Sequence, residues 1–327
     1  MLAKTLNKRL QQERELLHAY DLAAAQKSIR YTHKHAIASF GENSVECAGC
    51  LLNLGIWHEL SGEYAAAESL LKQAEQIFRQ HLPAPHPEIA TAHFYQARVL
   101  YRQAKFDEAV QAFWQVLVQY QEAYFPQTDH VDIARTIQWQ AYSQMQLKNQ
   151  QEQGLSNQEK AAAMFERLLG MNHASTAVAY SFLAEWYMRG EYRKHGLSIL
   201  QHTLPTVQQH AGSLHPDTAY VASQLAICED ISGLHDQAKE HFAFAQKIYA
   251  QCLGEQHPLY AEFLIGFAEH HVAHGYVEQA LRYYHQALEI FTACMDEDFM
   301  GISFVIKRIA LLMMRHLADE ESSSENE

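Results

Sequence analysis

The chain has 327 residues, 48% hydrophobic and 19% charged, with a formal net charge of −13. This is a globular rather than a disordered composition, and its sign argues against nucleic acid or anionic lipid as the main partner. There is no apolar run of membrane-spanning length, no signal-peptide core in MLAKTLNKRLQQERELL, and only five cysteines; a cytoplasmic address with reduced thiols is expected.

Taken in order, residues 1–43 read as an N-terminal helix pair. Residues 44–298 then read as six further pairs, with first helices opening near 44, 86, 130, 173, 215 and 257. Two columns of small residues carry this reading. One is Gly55, Ala97, Ala141, Ala184, Ala226, Ala268 and Ala310; the other is Ala25, Ala67, Ala109, Gly154, Gly196, Ala238 and Ala280. Successive members of each column lie 42–45 residues apart. Both columns sit inside segments with apolar residues at three- and four-residue spacing. A small side chain at a fixed point in both helices lets their axes approach.

The punctuation agrees with this register. His86-Pro87, His215-Pro216 and His257-Pro258 open helices, because proline suits the first helical position. Glu88 and Asp217 follow at the positive end of the helix dipole. Gly62, Gly233 and Gly275 stand where first helices stop, and Gly41, Gly170 and Gly254 stand after second helices. The rhythm slips only around the third complete pair, 130–172. There, spacings of 30 and 12 residues become 32 and 13, with the extra residues in YFPQTDHVD and QLKNQQEQGLSNQ. A lone helix at 299–317, mixing Lys307, Arg308 and Arg315 with apolar residues, reads as a solubilising cap. The acidic end, 318–327, reads as disordered.

SGEYAAAESLL, AKFDEAVQAF, GYVEQALRYYHQALEIF and LGEQHPLYAEFL resemble tetratricopeptide repeats. The 42-residue period and the LG-x-x-HP junction resemble the longer-helix subtype found in kinesin light chains. The resemblance covers roughly residues 20–317. It implies an all-α, right-handed α-solenoid of about seven helix pairs plus the cap, elongated in shape, with first helices lining a concave groove. It also implies a non-catalytic adaptor or scaffold that binds a protein or peptide segment. The alternatives are a self-associating protein that buries an apolar face in a homo-oligomer, and an enzyme or small-ligand sensor.

Read in that register, the groove carries Phe94, Tyr95, Arg98, Tyr101 and Arg102 from one pair and Arg135, Gln138, Trp139 and Tyr142 from the next. Trp, Tyr and Arg dominate interface hot spots, and arginine forks onto carboxylates, so an acidic, aromatic partner segment is expected. Asn53, in LLNLG, matches the asparagine that kinesin-light-chain first helices use to hold peptide backbone. Further along, the stripe turns acidic and apolar at Glu262, Ile265, Glu269 and Val272.

No catalytic motif, cofactor loop or metal motif is present, and neither a cofactor nor a metal is expected. His270 and His274 stand one turn apart, a metal-binding spacing, without a third ligand evident nearby. Cys47-Ala-Gly-Cys50 lies at a helix start but falls where small, half-buried residues are needed.

Overall fold

The computed structural model describes residues 3–187, 193–297 and 299–324. Fifteen helices run through the described residues, with no strand among them: α1 (Ala3–His18), α2 (Leu22–Phe40), α3 (Val45–Leu60), α4 (Tyr64–His81), α5 (Pro87–Arg102), α6 (Phe106–Tyr124), α7 (Val131–Met145), α8 (Gln151–Leu169), α9 (Ala174–Tyr187), α10 (Arg193–His210), α11 (Pro216–Ile231), α12 (His235–Cys252), α13 (Pro258–Ala273), α14 (Val277–Cys294) and α15 (Met300–Ser324). Consecutive helices pack as antiparallel pairs, and the pairs stack into an α-solenoid that α15 closes.

Histidine sets the start of five first helices. The Nδ1 atoms of His86, His130, His173, His215 and His257 each accept the backbone N–H two residues on, at 3.1–3.2 Å. The ring thus satisfies one of the amides that a helix N-terminus leaves without a partner. Ser44 and Asp21 cap α3 and α2 through their side-chain oxygens.

The two small-residue columns are the packing seams. Every member is buried except Ala310, which is exposed because α15 is the last helix of the stack. At Gly55 an added Cβ would lie 2.8 Å from Leu71, and at Gly154 it would lie 2.8 Å from Met145 and 3.1 Å from the Ala141 carbonyl oxygen. Only glycine lets those helices approach so closely.

The expected elongated shape is not what forms. The superhelix closes on itself, bringing the C-terminal ends of α1 and α3 against the N-terminal ends of α11 and α13. His215 Nε2 donates to the His18 carbonyl, and His257 Nε2 donates to the Leu60 carbonyl, each at 3.1 Å and each across 197 residues of chain. The second contact is the first one repeated a 42-residue step later. His215 also stands edge-on to Tyr20, with ring centroids 5.0 Å apart. At Gly62, with φ of 81°, an added Cβ would lie 2.7 Å from Pro258 Cδ. The closure follows from summed rotations between successive pairs, a quantity that no local sequence signal carries.

The C-terminal helix also departs from expectation. α15 runs to Ser324 instead of stopping at 317 and takes in most of the acidic end read as disordered. Neither Gly nor Pro interrupts LADEESSS, and Ala and Glu favour the helix.

Candidate functional site

Closure turns the concave groove into a chamber of about 680 Å³. First helices line most of it, from α3 through α13, with Leu17, His18 and Tyr20 from the α1 end and Phe242 and Tyr249 from α12. Eight of the ten residues read from sequence as groove residues lie on this wall: Tyr95, Arg98, Tyr101, Arg102, Arg135, Gln138, Trp139 and Tyr142. Phe94 does not. It is buried against Phe113 and Tyr95 and borders a smaller recess of about 280 Å³.

Asn53 is a correction. It is fully buried beneath α1, where its amide donates to the Leu10 carbonyl and to Glu13, and its oxygen accepts from Arg14 Nε. The local motif matched, but the N-terminal helix occupies every polar atom of that side chain.

The arginines are not free either. Arg98 Nη2 donates to Glu59 Oε1 at 2.9 Å, and Arg102 Nε lies 3.8 Å from the same oxygen. The Glu59 side chain is only 1% exposed. Its Oε2 and the Arg98 Nε have no hydrogen-bond partner among the described residues. Both guanidiniums lie over Trp139, Arg98 at 4.6 Å and Arg102 at 5.3 Å from the ring centroid. Cation–π attraction of this kind strengthens as water is excluded. Arg135 is held less tightly, with Asp132 Oδ1 at 3.4 Å.

Aromatic rings continue along the wall. Trp139 meets Tyr101 and Tyr142 edge-on, Tyr142 stacks on Phe182 at 3.7 Å, and Phe182 stacks on Tyr220 at 4.5 Å. Gln138 donates to the Tyr142 hydroxyl. The opposite wall is acidic, with Glu262 of α13 and Asp217 of α11.

Glu262 is open to the chamber yet enclosed by protein, and this burial raises its pKa while Arg102 opposes the rise. For Arg102 burial works against the charge, but Tyr64, Glu262 and Glu59 outweigh it and the pKa rises. His18 is pushed down to about 4 by burial and then by Arg135, Arg98 and Arg14. His257 is also pushed down to about 4, first by burial, with the Leu60 hydrogen bond opposing and Arg102 assisting. Both imidazoles are therefore neutral at pH 7. The chamber is polar at two ends, with cations on α5 and α7 and acids on α11 and α13.

Sequence reasoning missed Glu59, which gave no sign of being the counter-ion, and placed Glu262 at a remote acidic end. Cys47 and Cys50 are buried, and burial raises both thiol pKa values, the reverse of a reactive pair. Among the described residues, no helix is long and apolar enough to cross a membrane.

A closed stack of helix pairs with a lined interior is an α-solenoid of the repeat-scaffold class. The chain carries tetratricopeptide repeats: family models described as tetratricopeptide repeat match residues 47–88 and 217–293. Among solved structures, the apo form of RapI has a TM-score of 0.61 at 14% identity, covering 88% of this chain and 97% of that one. A Rap protein solved in complex with competence and sporulation factor has a TM-score of 0.58 at 13% identity, covering 96% and 99%. BtubC from P. vanneervenii has a TM-score of 0.52 at 20% identity, covering 71% and 91%. At these identities the likeness is one of fold. The RxLR effector protein SFI4 of Phytophthora infestans (strain T30-4) is 28% identical over 167 residues, half of this chain and 48% of its own length. The chain spans about half the length of the curated relatives it matches.

Proposed function

We propose that this protein is a non-catalytic adaptor that holds a short segment of another protein inside its closed superhelix. The chamber carries the reading. Its volume lies within the roughly 300–1,000 Å³ of sites that enclose a small ligand, so it suits a few residues of peptide and not a folded domain. The expected segment presents a carboxylate to Arg135 and the edge of the Arg98–Arg102 wall, and an aromatic or large apolar side chain to the Trp139–Tyr142–Phe182–Tyr220 row. A donor group facing Glu262 completes the fit. The solved Rap protein complex, which shares the fold, gives a precedent for such a scaffold with a bound factor. The five free cysteines favour a reducing compartment.

A random peptide library panned on the full chain tests this. Enriched clones should join an acidic residue to an aromatic one. Arg135→Glu and Trp139→Ala, each shown to be folded by circular dichroism, should weaken those clones tenfold or more, and Trp114→Ala, exposed on α6, should not. Clones that bind both chamber variants at full strength would move the site elsewhere.

A second reading has its own observation. α15 exposes Phe304, Ile306, Met313 and Met314, an apolar surface at the end of the stack. A second copy of the chain seated there would make a homodimer, and light scattering on Phe304→Ser against wild type decides it.

A further inference from the structure

The His270/His274 pair, set one turn apart at the C-terminal end of α13, finds in the folded chain the partners that were not evident in sequence. Asp230, in the last turn of α11, points its carboxylate between them. Asp230 Oδ2 lies 2.7 Å from His270 Nδ1, and Oδ1 lies 2.7 Å from His274 Nε2. His235, the first residue of α12, brings its Nδ1 to 2.8 Å from the same Oδ1. The ligand atoms of Asp230, His270 and His274 all lie within 4.8 Å of one another. The rings of His270 and His274 have centroids 4.6 Å apart, and those of His235 and His274 are 4.7 Å apart.

From this geometry we propose that Asp230, His235, His270 and His274 form a binding site for a divalent transition-metal ion, with Zn²⁺ the best fit. Three imidazole nitrogens and one carboxylate oxygen make a four-coordinate zinc donor set. Zinc bonds of 2.0–2.2 Å in a tetrahedron place neighbouring donor atoms about 3.3 Å apart, so on binding the ring nitrogens draw back from the carboxylate oxygens and close on one another, and the more exposed His235 swings in to join the three grouped ligands. In the ion-free protein each imidazole donates its N–H to Asp230. On binding, the ion replaces those hydrogens, and each ring carries its proton on the outer nitrogen through exchange with water.

The surroundings suit the assignment. His270 and Asp230 have side chains 11% and 12% exposed, and His235 is 57% exposed, so the site has a fixed floor and an open side for entry. His270 is held between Phe242 and Phe267, with centroids at 4.9 and 6.1 Å. The bound ion joins α11, α12 and α13 and so locks one repeat to the next.

The test uses tag-free full-length chain stripped with a chelator and titrated with ZnCl₂ alone. One equivalent should bind with a micromolar or tighter Kd, and Co²⁺ should give the intense visible absorption of a four-coordinate site. At a hundred times Kd, the unfolding equilibrium should shift about a hundredfold toward the folded state. His270→Gln/His274→Gln, which retains amide donors for Asp230, should lose binding by a hundredfold or more. Asp230→Asn is the second variant, and His285→Gln, exposed on α14, is the control. The absence of saturable one-equivalent uptake overturns the proposal. Equal uptake by the wild type and the double variant also overturns it, because the ion would then belong to scattered surface histidines.

Discussion

Replacing His215 and His257 together with alanine should open the ring without unfolding it. Each histidine does two things. Its Nδ1 caps its own helix, worth about 1 kcal/mol. Its Nε2 satisfies a carbonyl at the end of a helix far away in sequence, and leaving that carbonyl without a donor costs roughly 1–3 kcal/mol. Each substitution therefore removes about 2–4 kcal/mol, of which all but the cap bears on closure. The helix pairs are held by their immediate neighbours, so helix content should persist. His86→Ala is the internal control, because His86 caps α5 in the same way and takes no part in the closure.

Small-angle scattering on a size-exclusion column reads the outcome. A compact chain of this length has a radius of gyration of roughly 20 Å. The wild type should lie near or slightly above that value, and the double variant should exceed the wild type by several ångströms with unchanged circular dichroism. His86→Ala should match the wild type. A double variant with the wild-type radius would refute the clasp, as would a His86→Ala variant that opens equally.

Four further outcomes follow from the same geometry. Gly62→Ala and Gly233→Ala both force a side chain onto a φ of 81°, but only the first drives a Cβ into Pro258; Gly62→Ala should be the more destabilising in urea and the only one to enlarge the molecule, and equal behaviour would refute the seam. The His257 imidazole takes its proton near 6.5 when unfolded and near 4 when folded, so the unfolded chain holds more protons between those values. Stability should fall by roughly 3 kcal/mol for this group as pH drops from about 6.5 to about 4, with His18 adding in the same direction and Glu262 opposing; a melting temperature that stays flat from pH 7 to 5 contradicts this. Ala226→Leu and Ala268→Leu, at fully buried seam positions, should each lower stability by about 1–3 kcal/mol, and unchanged urea midpoints in both would show the register to be wrong. Arg98→Met takes the hydrogen-bonded arginine from the buried Glu59 carboxylate, leaving it Arg102 at 3.8 Å, and should cost about 3 kcal/mol, most of it regained in Arg98→Met/Glu59→Gln; no regain would mean that the two groups are uncoupled.

The helical repeat was legible because packing imposes it locally. A helix pair cannot close unless the residue at its crossing point is small, so Ala226, Ala268 and Gly55 each reported a contact within their own 42 residues. Pro87, Pro216 and Pro258 marked helix starts for a reason internal to one turn. The histidines beside them were half read. Their place was evident, but a ring nitrogen capping a helix falls outside the usual Ser, Thr, Asp and Asn preference. Their second bonds depend on atoms 197 residues away.

The chamber wall was legible to the same depth. Helical register put Arg98, Arg102, Arg135 and Trp139 on one stripe, because that relation is confined to adjacent helices. Glu59 pairs with Arg98 across neighbouring first helices, a contact between side chains that the backbone register alone does not single out, whereas Glu262 reaches the arginines only through closure and lay beyond local reasoning. Asn53 failed for the opposite reason. Its motif was local, and its fate was decided by Glu13 and Arg14 on a helix two elements earlier.

The distance spanned by the clasp also sets an order of events during synthesis. Domains and repeats assemble from the N-terminus as the chain emerges, and each helix pair can settle on a finished neighbour. The carbonyls of His18 and Leu60 must wait for His215 and His257, so they stay hydrated while most of the stack is already built. Over that interval Arg98 and Arg102 stand at the wall of an open trough, accessible to any passing segment. The chamber is the youngest part of the molecule, and a nascent chain halted before residue 215 is a folded stack that has a groove but no interior.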